Sequence, residues 1–360
     1  MFRYHMYEKA KILMLDLDGT VYRGNVALEN IDILNGILND KTVVFLTNSG
    51  TKTPDDVETK LRRLGFCIDR SVFNCYTALQ HLNRILQDEY ANHNVFYVTN
   101  KELQNSLGCN DSVFNTLTIQ KAFEIVESNT ISNTIVAFFI DTIELFDVDE
   151  YVTATSIILS NGGKVFFSAG DMVVPTCTNG LYVNHPGPGS IISILKGMTS
   201  KNVHRNIHIM GKGYDKNFMK NAFAISQNAY FSKHADSTTC SWEDVIVVGD
   251  NPLTDIAAGL QMGALTVLVN TGMKNDHDKL FYNRPHLLTE SLGNLVSSDR
   301  DKPSKIGLHY LIDVIARRAL NVHKFINEVT NSSLSYCLEG ISSAPIKKTQ
   351  SSPCRLYSLQ

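Results

Sequence analysis

Short apolar runs that end in polar residues recur along the chain, and each run predicts a buried strand. In the first third, such runs end at Asp16 and Thr47, and residues 94–98 form a third. Thr53 is followed by a proline and two acidic residues, which is typical of a helix N-terminus and predicts a helix over 54–64. Alternating strands and helices indicate an α/β fold with a parallel sheet covered on both faces.

The same alternation returns in the last third of the chain. Apolar runs predict strands at 207–210, 244–248 and 265–269, and helical patterns predict helices at about 215–226 and 253–261. Glycine or acidic residues follow the first two of these strands, as they follow the strands of the first third. We therefore expect strands from both ends of the chain to share one sheet.

A middle segment with its own elements separates these two parts. Strands are predicted at 134–140 and 164–167, and helices at 148–160 and 190–198. The simplest architecture is a discontinuous, Rossmann-like doubly wound core of residues 1–100 and 206–298. An inserted α/β domain of residues 101–205 splits this core. Ligands of open parallel sheets bind beyond the carboxyl ends of the strands, which is where the polar clusters lie.

The end of the chain has a different character. Residues 299–360 carry nine Lys and Arg against five Asp and Glu, whereas the whole chain has a net charge of −3. Apolar residues recur on one helical face, which predicts an amphipathic helix over 299–330. The Ser- and Thr-rich residues 331–360 predict a poorly ordered tail.

Composition narrows the class of protein. Hydrophobic residues make up 43% and charged residues 19%, as in globular proteins. The chain lacks the surplus of basic residues that nucleic-acid-binding proteins usually carry, so we expect no nucleic-acid partner. The seven cysteines are scattered and never spaced as CxxC, which fits a reducing compartment. The apolar run Ile135–Ile140 is far too short to span a bilayer, and the first ten residues lack a signal-peptide core. We expect a cytoplasmic enzyme or binding protein without a transmembrane segment.

Three acidic residues at predicted strand ends suggest a metal site. Asp16 and Asp18 point the same way in extended backbone, and Asp250 follows another strand. Carboxylates gathered in one site repel unless a cation or a proton separates them, and Mg²⁺ prefers such oxygen ligands. The alternative interpretation is that these acidic residues lie in solvated loops and bind no metal. Asp255 has two interpretations of equal weight, as part of this site or as an acid that favours a helix N-terminus.

Two further clusters have the chemistry of a phosphate site. Thr47 and Asn48 offer a hydroxyl and backbone N–H groups, and Lys212 offers an ammonium group between two glycines. An ordinary turn and a solvated loop lysine are the alternatives for these residues. The order of the four clusters along the chain, each at a strand end, favours one shared site.

These clusters resemble motifs I to IV of the haloacid dehalogenase superfamily of phosphatases. The matching segments are DLDGT (16–20), TNSG (47–50), GK (211–212) and GDNPLTD (249–255). The insertion looks like the α/β cap of the class IIA members, which include p-nitrophenyl-phosphatases and phosphoglycolate phosphatases. The resemblance covers about residues 10–297.

The resemblance implies a hydrolase of small phosphorylated metabolites that works through an aspartyl-phosphate. Asp16 would be the nucleophile and Asp18 the general acid and base. Mg²⁺ would be held by Asp16, the backbone carbonyl of Asp18, and Asp250. The remaining implied roles are phosphate binding by Thr47, Asn48 and Lys212, orientation of the site by Asn251 and Asp255, and reading of the leaving group by Asp171 of the cap. Related enzymes often pair through their caps, so a homodimer is the implied assembly.

The chain departs from the family pattern at two places. Gly213 stands where motif III usually has proline, which would loosen the backbone after Lys212. In the cap, residues 169–171 read Ala-Gly-Asp and keep only the acid of the family's Asn-Pro-Asp. Val174 stands where the pyridoxal-phosphate phosphatases, which are also class IIA members, have histidine. Two other functions stay open. One is a phosphotransferase or mutase with the same intermediate, and the other is a non-catalytic binding protein on the same fold.

Overall fold

Two separate parallel sheets organise the part of the chain that the computed structural model describes. The described residues are 2–70, 73–99, 103, 117–142, 147–178, 181–234, 239–272 and 283–296. The predicted tail elements at 299–330 and 331–360 lie outside these residues.

The larger sheet has six strands in the spatial order β14-β13-β12-β1-β4-β5. Its strands are β1 (Ile12–Asp16), β4 (Thr42–Thr47), β5 (Cys75–Thr77), β12 (Val245–Gly249), β13 (Leu265–Val269) and β14 (Leu287–Thr289). Every neighbouring pair is parallel. The chain starts at a central strand and builds outward on both sides, which confirms the predicted doubly wound α/β class.

The central strand of this sheet shows why its run of residues is apolar throughout. In β1, Leu13 and Leu15 pack into a hydrophobic cluster on one face, and Ile12 and Met14 pack into a second cluster on the other. Side chains of a strand alternate between faces, so a strand covered on both sides needs apolar residues at successive positions. Only the terminal Asp16 breaks this run, at the edge where the strand leaves the core.

Helices cover the two sheets, and several begin as the sequence predicts. The helices are α1 (Phe2–Lys9), α2 (Ile31–Asp40), α3 (Pro54–Arg63), α4 (Ala78–Glu89), α5 (Ile119–Glu127), α6 (Val148–Ser160), α7 (Pro188–Met198), α8 (Lys216–Lys233), α9 (Ala257–Met262) and α10 (Gly293–Val296). At the start of α3, Thr53 and Asp56 form a reciprocal capping box, which satisfies two backbone N–H groups at the helix end. The predicted helix after β12 begins as one π-helical turn, Pro252–Ile256.

The smaller sheet has four strands in the order β11-β8-β7-β6, and all its pairs are parallel. They are β6 (Asn94–Val98), β7 (Thr134–Phe138), β8 (Lys164–Phe167) and β11 (Ile207–Ile209). We had placed the strands at 94–98 and 207–210 in the core sheet, and this placement was wrong. An apolar run indicates a buried strand but carries no information about which sheet accepts it.

Two antiparallel hairpins complete the described strands. β2 (Tyr22–Arg23) pairs with β3 (Val26–Ala27), and β9 (Val173–Thr178) pairs with β10 (Leu181–Pro186). Neither hairpin was predicted from the sequence. The second hairpin follows β8 of the four-stranded sheet, and β9 contacts β2. The hairpin that follows the four-stranded sheet therefore lies near the carboxyl ends of the larger sheet's strands, where Asp16 is located.

Helix α4 joins the two sheets. It starts directly after β5 of the larger sheet, and its Leu79, Leu82 and Leu86 pack with Ile135 and Ala137 of β7. Its first residue, Ala78, packs in a different cluster with Ile12 and Met14 of β1, so α4 contacts both sheets. Among the described helices, none combines the length and hydropathy required to cross a membrane.

Candidate active site

Three carboxylates converge at the carboxyl ends of two neighbouring strands. Asp16 is the last residue of β1, Asp250 directly follows β12, and Asp255 lies in the π-helical turn after it. One oxygen from each of these three side chains lies within 4.8 Å of the others, and all three residues are buried. β1 and β12 are the neighbours at which the strand order reverses, where doubly wound sheets bind ligands.

A lysine from the other sheet enters this cluster. Lys212 follows β11, and its side chain is 2% exposed. Its Nζ donates to Asp16 Oδ1 at 2.6 Å and lies 2.5 Å from Asp255 Oδ1, outside hydrogen-bond geometry. Burial alone would lower the pKa of this ammonium, but Asp16 and Asp255 outweigh burial and raise it. Lys212 therefore stays charged inside the site.

The charges of this cluster are unbalanced. Burial raises the pKa of Asp16 well above its usual range, and Asp255 and Asp250 raise it further, while Lys212 opposes them. Three carboxylates face one ammonium group, so the ionised site carries excess negative charge. A hard divalent cation with oxygen ligands fits this set of donors, because it removes the repulsion that favours protonation.

The backbone packs tightly around Asp250. A Cβ atom on Gly19 or on Gly272 would collide with the Asp250 carboxylate, and Gly19 has a φ of +93° that favours glycine. Thr271 Oγ1 donates to the Gly19 carbonyl at 2.7 Å, and Arg23 donates to the carbonyls of residues 271 and 272. These hydrogen bonds link the two backbone segments that pack on the Asp250 carboxylate, which leaves that side chain little room to move.

The side chain of Asp18 lies outside the three-carboxylate cluster. It is 51% exposed, its Oδ1 lies 3.9 Å from Lys60 Nζ, and the Tyr22 hydroxyl donates to it. The surrounding site raises the pKa of Asp18 by burial, and Lys60 opposes this rise. The exposed half of the side chain limits the size of the shift. Asp18 is thus a carboxyl group open to a ligand that enters from solvent.

Asn48 connects the loop after β4 to the backbone of Lys212 by hydrogen bonds. Its Oδ1 accepts from the Lys212 backbone N–H at 2.7 Å, and its Nδ2 donates to the Lys212 carbonyl at 3.4 Å and to Asp171 Oδ2 at 3.1 Å. Thr47 is buried at the end of β4, and its hydroxyl accepts from the Ser49 N–H at 3.1 Å. The structure therefore brings the predicted phosphate-binding residues Thr47, Asn48 and Lys212 to one edge.

Asn251 stabilises the turn that carries Asp255. Its side chain accepts from the Leu253 N–H at 3.0 Å, and its own backbone N–H donates to Asp255 Oδ2 at 2.9 Å. Asp255 is 1% exposed and contacts Lys212 with its other oxygen. The pair thus links the end of β12 to the ammonium group of Lys212.

Comparisons with known proteins agree with this arrangement. A haloacid dehalogenase-like hydrolase model matches residues 13–111, which include Asp16 and Asn48, and a HAD-hydrolase-like model matches residues 225–295, which include Asp250. Both parts of the chain that carry these carboxylates are thus similar to haloacid dehalogenase-like hydrolases.

Relatives and solved structures extend the likeness over most of the described chain. A 5'-nucleotidase of Bacillus subtilis is 25% identical over 73% of this chain and 89% of its own length. An acid sugar phosphatase of Staphylococcus saprophyticus is 24% identical over 73% of this chain and 87% of its own length. The crystal structure of a glycerol phosphate phosphatase from Mycobacterium tuberculosis, solved with magnesium, aligns with a TM-score of 0.58 at 21% identity. That alignment covers 82% of this chain and 78% of the other.

Gly213 explains one departure from the haloacid dehalogenase pattern. Its φ is +86°, and a Cβ atom there would lie 2.6 Å from Thr254 Cα. Proline is restricted to a φ near −65°, so the proline of motif III could not adopt this conformation. We had expected a looser backbone after Lys212. The structure instead shows a left-handed residue packed against the turn that carries Asp255.

Two groups that contact the site region were missed in the sequence. Asp141, three residues after β7, accepts hydrogen bonds from the loop after β4. His81 is fully buried on α4, and its Nε2 contacts Oδ2 of Asp215, the N-cap of α8, at 2.9 Å. A signal existed for Asp141, because it ends an apolar run just as Asp16 does. His81 gave none, since one histidine on an apolar helix face is typical of a core.

Two histidines four positions apart, His204 and His208, have structural contacts. His204 Nε2 lies 3.2 Å from the carbonyl of Thr199, and the ring of His208 stacks on Phe166.

Proposed function

We propose that this chain is a Mg²⁺-dependent phosphoric monoester hydrolase that forms an aspartyl-phosphate on Asp16. The observation that carries the proposal is the contact between the Lys212 ammonium and the Asp16 carboxylate, 2.6 Å apart in a buried cluster with Asp250 and Asp255. A protein that only binds other molecules gains nothing from like charges gathered in its interior, because their burial costs stability.

Asp16, Asp250 and the backbone carbonyl of Asp18 would hold the cation. When bound, Mg²⁺ offsets the negative charge that separates a carboxylate nucleophile from a phosphate dianion. The donor set is composed of oxygen atoms, which suits this ion. The solved glycerol phosphate phosphatase contains magnesium, which supports the choice of metal.

The chain's own residues account for the two chemical steps. Asp16 attacks phosphorus, and the bond from phosphorus to the leaving oxygen breaks while Asp18 donates its proton to that oxygen. A water molecule then attacks phosphorus, Asp18 accepts its proton, and the bond to Asp16 breaks to release phosphate. Lys212, Thr47 and Asn48 bind the equatorial phosphate oxygens, on which the transition state places negative charge.

The segment around the four-stranded sheet acts as a cap that reads the leaving group. We infer this from its hairpin β9–β10, which contacts β2 beside the open side of Asp18, and from Asp171, which reaches Asn48. The names of the relatives, a nucleotidase and a sugar phosphatase, support a small phosphorylated metabolite as substrate, with sugar phosphates first.

We also propose a homodimer and a cytoplasmic location. Val173 and Val183 on the hairpin, and Met172 directly before it, are exposed apolar residues, which supports a homodimer through the cap. Light scattering of the purified chain tests this, and a monomer at micromolar concentration contradicts it. Cys67, Cys75 and Cys240 are free thiols, which supports a cytoplasmic enzyme.

The deciding experiment measures p-nitrophenol and phosphate release from p-nitrophenyl phosphate with Mg²⁺, with EDTA, and with Asp16→Asn. We expect EDTA to abolish turnover and Asp16→Asn to lower it by about 10⁴-fold or more, since the nucleophile is lost. Asp40→Asn is the matched control, because Asp40 precedes β4 at the opposite end of the sheet and is exposed.

Two outcomes would change the proposal. Turnover that is indifferent to EDTA and to Asp16→Asn removes the proposed chemistry altogether. Release of p-nitrophenol that exceeds phosphate release when alcohols or sugars are added identifies a phosphotransferase with the same intermediate.

A further inference from the structure

Asp141 makes an unusual set of contacts across the two sheets. It follows β7 of the four-stranded sheet, and its carboxylate accepts hydrogen bonds from three consecutive residues of the loop after β4 in the larger sheet. The donors are Ser49 Oγ at 2.9 Å, the Gly50 backbone N–H at 2.6 Å, and Thr51 Oγ1. One side chain of the smaller sheet thus holds most of a loop that belongs to the larger sheet.

The loop has little room to shift away from this carboxylate. A Cβ atom on Gly50 would collide with Ser168 Oγ and would lie 3.0 Å from the Ile140 carbonyl. Ser49 Oγ also accepts from the backbone N–H groups of Thr51 and Lys52, at 3.4 and 3.2 Å. The loop therefore folds around Ser49 and presses against the residues that follow β7 and β8.

The position of this loop matters because of the residues directly before it. Thr47 and Asn48 come immediately before Ser49, and the Thr47 hydroxyl accepts from the Ser49 N–H at 3.1 Å. Asn48 in turn holds the peptide of Lys212 on both sides. A displacement of residues 49–51 would therefore reach the three groups to which we assign phosphate binding.

A carboxylate suits this task better than a neutral group. Hydrogen bonds to an ionised acceptor are shorter and roughly twice as strong as those between neutral groups, and one carboxylate can accept several of them. Loss of Asp141 would leave the Gly50 N–H, in a buried residue, without this acceptor, which is a costly state.

We propose that Asp141 is a positioning residue that sets the phosphate-binding loop from the four-stranded sheet. It acts on the phosphoryl group through residues 47–51 and does not contact the leaving group. The inference rests on the proposed hydrolase function and adds to it a dependence of phosphate affinity on a residue of the other sheet.

The test compares Asp141→Ala with wild type in kinetics and in inhibition by inorganic phosphate, which binds the site without a leaving group. We expect kcat/KM to fall and the inhibition constant of phosphate to rise, each by about 10- to 100-fold, because a small misplacement of binding groups costs this much. The loss in kcat/KM should be the same for p-nitrophenyl phosphate and for a sugar phosphate.

Matched variants separate positioning from simple loss of stability. Thr51→Val removes one donor to Asp141 and should weaken phosphate inhibition by about 3- to 10-fold, whereas Thr51→Ser keeps the hydroxyl and should restore it. Asp147→Ala removes a carboxylate that caps α6 in the same region. It should lower the melting temperature without changing the inhibition constant. If Asp141→Ala does not fold, the two Thr51 variants decide the question.

Amide exchange of residues 48–52 supplies a readout that needs no turnover. In the Asp16→Asn background, Asp141→Ala should speed exchange in this loop, while Asp147→Ala should not. A wild type inactive on every ester would overturn the proposed function, yet this exchange comparison would still test Asp141. Unchanged loop exchange or an unchanged phosphate inhibition constant would overturn the positioning role, and so would a loss confined to one leaving group.

Discussion

The two parallel sheets contribute different chemistry to one site. The six-stranded sheet supplies two carboxylates of the buried cluster, Asp16 at the end of β1 and Asp250 after β12. The four-stranded sheet supplies the ammonium group of Lys212 after β11, and the carboxylates of Asp141 and Asp171 that hold the loop of the first sheet. The proposed site needs groups from both sheets, so the proposed activity depends on the juxtaposition of their carboxyl ends.

Among the tests of this comparison, the largest effect should follow from removal of the Lys212 ammonium group, which follows β11 of the smaller sheet. Lys212→Gln takes away the charge that faces Asp16 and Asp255, and we expect kcat to fall by about 10²- to 10³-fold. In EDTA the variant should also lose about 3 kcal/mol of unfolding free energy, since buried carboxylates lose their partner. Steady-state kinetics and urea unfolding measure the two effects. A kcat within threefold of wild type would exclude Lys212 from the phosphate site.

The next largest effect should come from substitutions at Gly213, directly after Lys212, where the chain packs against the turn that carries Asp255. Gly213→Pro cannot adopt the φ of +86° and should displace Lys212, with about a tenfold or greater loss of kcat/KM. Gly213→Ala should lose less, because alanine can adopt a positive φ that proline cannot, although its Cβ would collide with the Thr254 backbone. If Gly213→Pro kept the full kcat/KM of the wild type, the segment after Lys212 would have a second stable conformation that accepts proline.

A smaller effect concerns the pH dependence of the contact between Asp171 and the opposite sheet. Burial raises the pKa of Asp171 from 3.8 to about 6. The folded state then binds this proton more tightly than the unfolded state, so the Asp171 contribution to stability is lost as the pH rises from about 4 to about 6. Asp171→Asn should remove this loss and keep an acceptor for Asn48. Its unfolding free energy relative to wild type should increase between about pH 4 and pH 6 in urea titrations and stay level above.

The smallest effect concerns unfolding, and its measurement tests whether the two sheets unfold in one transition. Thr53 caps α3 beside the larger sheet, and Thr118 caps α5 beside the smaller one, each through a side-chain hydrogen bond to a backbone N–H. Alanine at either position should cost about 1 kcal/mol. If the sheets form one cooperative unit, both variants shift the same single calorimetric transition. Two transitions, each sensitive to one variant, would separate them.

The strand ends of the larger sheet could be predicted from the sequence because local chemistry marks them. Asp16 and Asp250 end runs of apolar residues that are buried on both faces, and Thr53 with Pro54 marks the start of α3. These signals depend on residues close in the chain. They therefore predicted the elements and most of the residues at the site.

The partner of each strand could not be predicted in the same way. The runs at 94–98 and 207–210 read like core strands, yet they pair with β7 and β8. The role of Asp141 depends on donors about 90 positions earlier in the chain, and the left-handed Gly213 depends on Thr254. Contacts between distant segments are set by packing, which a single sequence does not reveal.

The place where the chain returns from the smaller sheet has a consequence for engineering. Lys212 lies three residues after β11, whose last residue is Ile209, so the proposed cap and the proposed phosphate-binding cation share one short connection. If the proposed cap reads the leaving group, an exchange of residues 94–209 for the corresponding segment of a related phosphatase should change substrate specificity. It would also shift the ammonium group unless the graft preserved the crossover. Recombination libraries built on this scaffold should therefore place the second splice point beyond Asp215, within α8.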